Sequence, residues 1–363
     1  MNFVSVIMVI FSVIAACDRI FGSKLGLGKE FEKGFMLLGN MALSMIGMIV
    51  ISPFIAQLLD PLFSVMYDVL KIDPSIIPAS IFANDMGGAP LAVEVAKNSD
   101  IGMFNALIVS SMMGVTISFT VPYALGLVKK ELHREMFLGF LCGIVTVPIG
   151  CFVGGLVLGL PILSLLVNLL PIILLAVIIA LGLLFLPKLS VKIFSILGVA
   201  MKVLITIGLA LGIIRFLTGF ELIKGLAPIE EGGAVCLNAA IVMTGAFPLM
   251  YIISKLLKKP VEKIGDKAGI NSTSAIGFVS TLATSMTTFG MMNDMDKKGV
   301  MLNSAFAISA AFTFAGHLAF TMAFEGSNIY YIGAMVVGKL ISGVCALFLA
   351  VLIYKRMAKK LAD

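Results

Sequence analysis

Apolar runs long enough to cross a bilayer recur along almost the whole of this 363-residue chain. About 20 consecutive apolar residues span the hydrocarbon core as a helix, and a run that long exceeds an ordinary core helix. Setting the runs against their charged connectors predicts helices over 2–22, 35–59, 101–128, 134–159, 164–186, 190–217, 234–257, 298–324 and 330–354. Hydrophobic residues make up 60% of the chain and charged residues 13%, where a soluble domain carries about twice that charge. The expected class is therefore an all-α integral membrane protein with a polytopic helical fold. Residues 2–16 are apolar with no basic stretch before them, so they read as a retained first helix, not a signal peptide.

The same patterning excludes other classes. A net charge of +6 could point to nucleic acid, but the basic residues sit in short connectors between apolar runs, which is the footprint of membrane orientation. The five cysteines form no CxxC pair and no His/Cys cluster. Neither a metal site nor a disulfide framework nor any other cofactor is expected. No Walker motif and no HExxH occurs, and Asp85 has no second intramembrane aspartate, so the chain does not read as an enzyme.

Two segments break the pattern. Residues 74–96 hold Pro74, Pro78, Asn84, Asp85, Gly87, Gly88, Pro90 and Glu94, and residues 272–293 hold Thr284, Ser285, Thr287, Thr288 and Gly290. Each is polar in the middle, and each arm is about ten residues, enough to climb only about 15 Å. Either both segments cross, or both are re-entrant hairpins. With hairpins, nearly all basic connectors fall on one side, including Arg19, Lys33, Lys129, Arg134, Lys188, Lys259 and Lys298. The other side keeps only Lys71, Lys97, Arg215 and Lys224. With full crossings the bias collapses. The sequence thus predicts about nine crossings and two hairpins, with the N-terminus outside and the C-terminus cytoplasmic.

Sliding the chain by 198 residues pairs Asp68 with Asp266, Asn105 with Asn303, and Ser111 with Ser309. The order of elements repeats as well. Residues 1–160 form a first repeat with its hairpin near 74–96, and residues 190–363 a second with its hairpin near 272–293. The helix within 161–189 joins them. This one extra crossing turns the second repeat upside down. Inverted repeats with broken helices meeting at the midplane are the architecture of secondary transporters.

Candidate residues gather at the two tips. Asn84 and Asp85 stand beside Gly87 and Gly88, where unwound carbonyls and a carboxylate suit a cation or an amine. Capping of the second half-helix by Asp85 is the competing structural role. Thr284, Ser285, Thr287 and Thr288 offer hydroxyls to a polar solute or to their own helix. His317, in the middle of a span, can bind solute or hydrogen-bond a neighbouring helix. Glu94 lines the pathway or turns outward near Lys97. Asn105 and Asn303 are expected to brace the hairpins. Lys339 is an intramembrane cation that needs a partner, with Asp85 and Glu94 available. The spacings Gly139/Gly143, Gly150/Gly154 and Gly208/Gly212 allow close helix contact within one chain or in a homo-oligomer.

Several stretches carry a family likeness: Gly34-Phe35-Met36, Asp85-Met86-Gly87-Gly88, Ser111-Met112-Met113-Gly114, Gly143-Ile144-Val145-Thr146-Val147-Pro148-Ile149-Gly150-Cys151, Phe289-Gly290-Met291-Met292, Ala307-Ile308-Ser309-Ala310-Ala311-Phe312 and Val337-Gly338-Lys339-Leu340. In these the chain resembles the ethanolamine permeases of the bacterial ethanolamine-utilisation pathway. The resemblance implies facilitated uptake of ethanolamine across the cytoplasmic membrane. Ethanolamine also suits the tips, with its ammonium at Asp85 and its hydroxyl at Asn84 or the Thr/Ser cluster. The residues alone leave two alternatives: a cation-coupled symporter of another small polar solute, and a membrane receptor that moves nothing.

Overall fold

The computed structural model describes residues 3–324 and 329–362. Among the described residues every regular element is helical, and eight helices are long and apolar enough to cross a membrane. In order, the first half comprises α1 (Phe3–Ile20) and α2 (Leu27–Leu70), the short helices α3 (Ile76–Ile81) and α4 (Gly88–Val95), then α5 (Ser99–Leu127) and α6 (His133–Val157). Helix α7 (Ile162–Phe185) follows; it has no charged residue and turns Leu163, Leu170 and Leu174 outward, as a lipid-facing helix does. The second half comprises α8 (Pro187–Thr218), α9 (Ile229–Ala268), the short α10 (Ser272–Ala283) and α11 (Ser285–Met291), then α12 (Lys297–Ala310), α13 (Gly316–Phe324) and α14 (Ile329–Ala362).

The span expected over 298–324 is thus two helices. The chain breaks at 311–315, where Phe312 takes a left-handed φ of 62°. Phenylalanine rarely adopts that conformation unaided. Here the Phe312 and Phe314 N–H groups donate to the Thr281 and Leu282 carbonyls at 3.1 and 3.0 Å, so the freed backbone is satisfied by α10.

The two halves share local geometry at the 198-residue offset. Helices α2 and α9 are both far longer than a bilayer crossing needs, at 44 and 40 residues. Both end in a left-handed residue, Lys71 (φ 57°) and Gly269 (φ 67°), the conformation that closes a helix by returning an N–H to the last turn. Helix α5 is wound as π-helix over Asn105–Gly114 and Thr116–Thr120, at the level that corresponds to the break between α12 and α13. The turn after α3 meets α5 there. Ala83 N–H donates to Ser118 Oγ at 3.0 Å, and a Cβ on Gly114 would run into the Phe82 carbonyl.

None of the four short helices is long enough to span. Helix α3 rises about 9 Å and α10 about 18 Å, against a core of about 30 Å. Each pair returns to where it began, because its feet are tied together. Asp73, buried, accepts from Ser75 N–H (3.0 Å) and Ser75 Oγ (2.5 Å) with one oxygen. Its other oxygen accepts from Lys97 N–H (3.0 Å) and Asn98 N–H (2.8 Å). In the second half the acid stands on the opposite foot. Asp296 accepts from Asn271 N–H (2.8 Å), Ser274 Oγ (2.7 Å) and Gly299 N–H (3.1 Å). Asn105 Nδ2 donates to Ser75 Oγ at 2.8 Å, and Asn303 Nδ2 to the Ser274 carbonyl at 2.8 Å, so both asparagines tie α5 and α12 to the adjoining feet. Asp73→Ala orphans its donors in a place water does not reach. It is expected to destabilise the protein by about 2–4 kcal/mol, read as a lowered midpoint of thermal unfolding in detergent.

The halves interlock. Helix α1 packs on α9, and α8 packs on α2. Glycine makes these contacts close. A Cβ on Gly47 would strike the Ile205 carbonyl, and one on Gly208 the Gly47 carbonyl. Gly139 and Gly143 lie against α12, and Gly150 and Gly154 against α14. All three GxxxG spacings are therefore used inside the chain.

Candidate functional site

The break at 311–315 joins the two interrupted segments. On one side its N–H groups reach the last turn of α10. On the other, α13 packs against the Asn84–Met86 turn between α3 and α4. That turn is short for a physical reason. Gly87 sits at φ 94°, and a Cβ on Gly88 would meet the Phe82 carbonyl. The two glycines let the chain reverse and start α4 at once.

Four of the predicted residues converge here. Asn84 is fully buried, and neither its amide nitrogen nor its oxygen has a partner. Asp85 is partly exposed, with its carboxylate free of any ion pair among the described residues. His317, on the first turn of α13, is buried with Phe312 at 5.1 Å between ring centroids. Lys339, on α14, is fully buried. Its Nζ donates to the Ser111 carbonyl at 2.6 Å and lies 3.1 Å from His317 Nδ1. A ring that accepts at Nδ1 carries its proton on Nε2. His317 Nε2 has no partner, nor has Thr321 Oγ1 one turn further along α13. Buried polar groups without partners are rare in folded proteins. The centre therefore holds an open carboxylate, a free amide and a free ring N–H, a set able to receive a small solute bearing an amine and a hydroxyl.

The other predicted residues lie elsewhere. Thr284 and Thr287 line a cavity of about 500 Å³ with Lys33, Asn40, Tyr251 and Ser254. Ser285 is buried and its hydroxyl unpartnered. Thr288 is committed internally, 2.8 Å from Thr281 Oγ1 and donating to the Gly277 carbonyl at 3.1 Å. Glu94 is exposed on a smaller cavity of about 320 Å³ at the feet of α3 and α4, beside Asp60 and Lys97. Lys97 pairs with Asp60 at 2.5 Å. Glu94 is thus remote from the Asp85 turn. No group of three or more metal-ligating side chains occurs among the described residues.

Sequence reading missed Ser111 and the two latch acids. The Ser111 carbonyl carries no signal, since it depends on α14 lying across α5. Asp296 did carry one: Asp-Lys-Lys-Gly before an apolar run is a helix start, and its side chain caps α12.

Spans, breaks and an unpartnered polar centre define a multi-pass helical membrane protein with an interior site for a small polar solute. Comparison with known proteins narrows this. The family described as "Ethanolamine utilisation protein, EutH" matches residues 1–353, and the chain belongs to that family. It is 45% identical over 354 residues to a Listeria monocytogenes protein named "Probable ethanolamine permease EutH", covering 98% of this chain and 94% of that one. Proteins of the same name from Salmonella typhimurium and Escherichia coli are 38% identical over 386 residues, covering 96% of this chain and 94% of theirs. No solved structure matches.

Proposed function

We propose that this protein carries ethanolamine across the bacterial cytoplasmic membrane, as a transporter and not an enzyme, by facilitated passage. Its relatives' printed names support ethanolamine as the solute. The observation that carries the binding mode is the convergence of Asp85, Asn84 and the His317 Nε2–H at one turn. Asp85 takes the ammonium. The hydroxyl oxygen accepts from His317, and its proton goes to Asn84 Oδ1. Burial from water makes each contact worth more than in solution.

The halves read as inverted repeats, and the two interrupted segments as hairpins entering from opposite faces. Their tied feet, their short arms and the shared left-handed caps support this reading. The cavity bearing Thr284 and Thr287 then opens on the cytoplasmic, lysine-rich side, and the one bearing Glu94 outside. N-terminus outside and C-terminus cytoplasmic follow from the same charge bias.

The test is uptake of labelled ethanolamine into proteoliposomes at mildly acidic pH, where the ammonium dominates and does not cross lipid unaided. Uptake above empty liposomes, saturable and blocked by excess unlabelled ethanolamine, is expected. Saturable binding without any flux would make the protein a receptor and remove the reading. His317→Leu, which keeps bulk but loses both ring nitrogens, should weaken apparent affinity about tenfold, measured by the same uptake.

A further inference from the structure

Lys339 raises a question the binding mode leaves open, because an ammonium-binding centre already contains an ammonium. Its Nζ is fully buried in α14, yet its two hydrogen-bond acceptors, the Ser111 carbonyl and His317 Nδ1, are both neutral. An ammonium has three N–H bonds, so one is left over. A buried charge with no countercharge is costly in a membrane. The segments that hold Nζ, α5 at Ser111 and α13 at His317, both pack against the Asn84–Met86 turn. The groups facing it are His317 from α13, Ser111 from α5, Cys151 from α6 and Asp85 from the turn, and Asp85 is the carboxylate whose charge reaches it. No N–O contact within 4 Å joins the two among the described residues.

We propose that Lys339 is a tethered cation that competes with the incoming solute for Asp85, and so sets both the affinity of the centre and its preference for primary ammonium groups. With the centre empty, the spare N–H of Lys339 balances Asp85. A solute ammonium displaces it, and the lysine falls back on Ser111 and His317. Repulsion between the two cations keeps the solute from being held too tightly to leave. A neutral alcohol cannot make the exchange. A quaternary ammonium, with no N–H to offer, makes it poorly. The proposal rests on the Asp85 binding mode above.

The experiment is equilibrium binding of labelled ethanolamine to purified protein in lipid nanodiscs, paired with uptake. Lys339→Met removes the competitor, so ethanolamine should bind about tenfold tighter while the maximal uptake rate falls. Lys339→Arg keeps the charge and should not tighten binding. A folded Lys339→Met protein with unchanged or weaker affinity overturns the proposal. If Lys339→Met does not fold, the neutral pair Asp85→Asn/Lys339→Met decides. Recovery of folded protein in the pair supports charge balance between the two. Equal instability shows that Lys339 serves to hold Ser111 and His317 together, and overturns it. Asp85→Asn alone separates the two ideas. If it leaves binding intact, the Asp85 mode and this proposal fall together. If it abolishes binding while Lys339→Met fails to tighten it, only the tethered cation falls.

Discussion

Asp85→Asn is expected to reduce ethanolamine uptake into proteoliposomes by about a hundredfold, with the protein still folded. Asn keeps the shape and the hydrogen bonds but not the charge, and losing the charged partner of a buried ammonium costs about 3–5 kcal/mol. The partial exposure of Asp85 and the absence of an ion pair on it mean that little of the fold depends on that charge. Asp85→Glu should retain part of the uptake at a weaker affinity. Its extra methylene moves the carboxylate within a turn that Gly87 and Gly88 hold tight.

The second large effect falls on structure. Gly114→Leu is expected to destabilise the protein by about 3 kcal/mol or more and to abolish uptake. A Cβ there meets the Phe82 and Ala79 carbonyls. Backbone atoms cannot swing aside as a side chain tip can, so the α3–α4 turn must lift away from α5 and carry Asp85 with it. Gly290 is the control: nothing lies within 4 Å of a Cβ built on it, and Gly290→Ala should leave thermal stability and uptake near wild type. Equal loss in both variants would show that the contact at Gly114 is not what seats the turn.

Much of this arrangement is legible in the residues. Apolar runs place the long helices because lipid leaves few other solutions for a backbone. The polar interruptions at Asn84–Gly88 and Thr284–Thr288 mark the short helices for the same reason. Two irregularities are hidden. Residues 105–120 are an unbroken run of apolar and small residues, and nothing in them announces π winding. Residues 311–315 contain neither Gly nor Pro, and the left-handed Phe312 is held by carbonyls about 30 positions away in sequence. The Lys339–His317 contact is hidden likewise. Each residue is recognisable as a buried polar group in need of a partner, but only the crossing of α13, α14 and α5 says which. Glu94 shows the converse. Its charge made it a partner for Lys339, and only the packing of α4 turns it outward to the cavity it shares with Lys97.

The account depends on two interrupted segments that approach one polar centre from opposite faces of the membrane. Single cysteines in place of Met86 and Met286, in a protein lacking its own five cysteines, test this in intact cells. A membrane-impermeant thiol reagent is added from outside and, in inverted vesicles, from inside. Position 86 should label from outside and position 286 from inside, each slowed by ethanolamine. Labelling of both from the same face would contradict it.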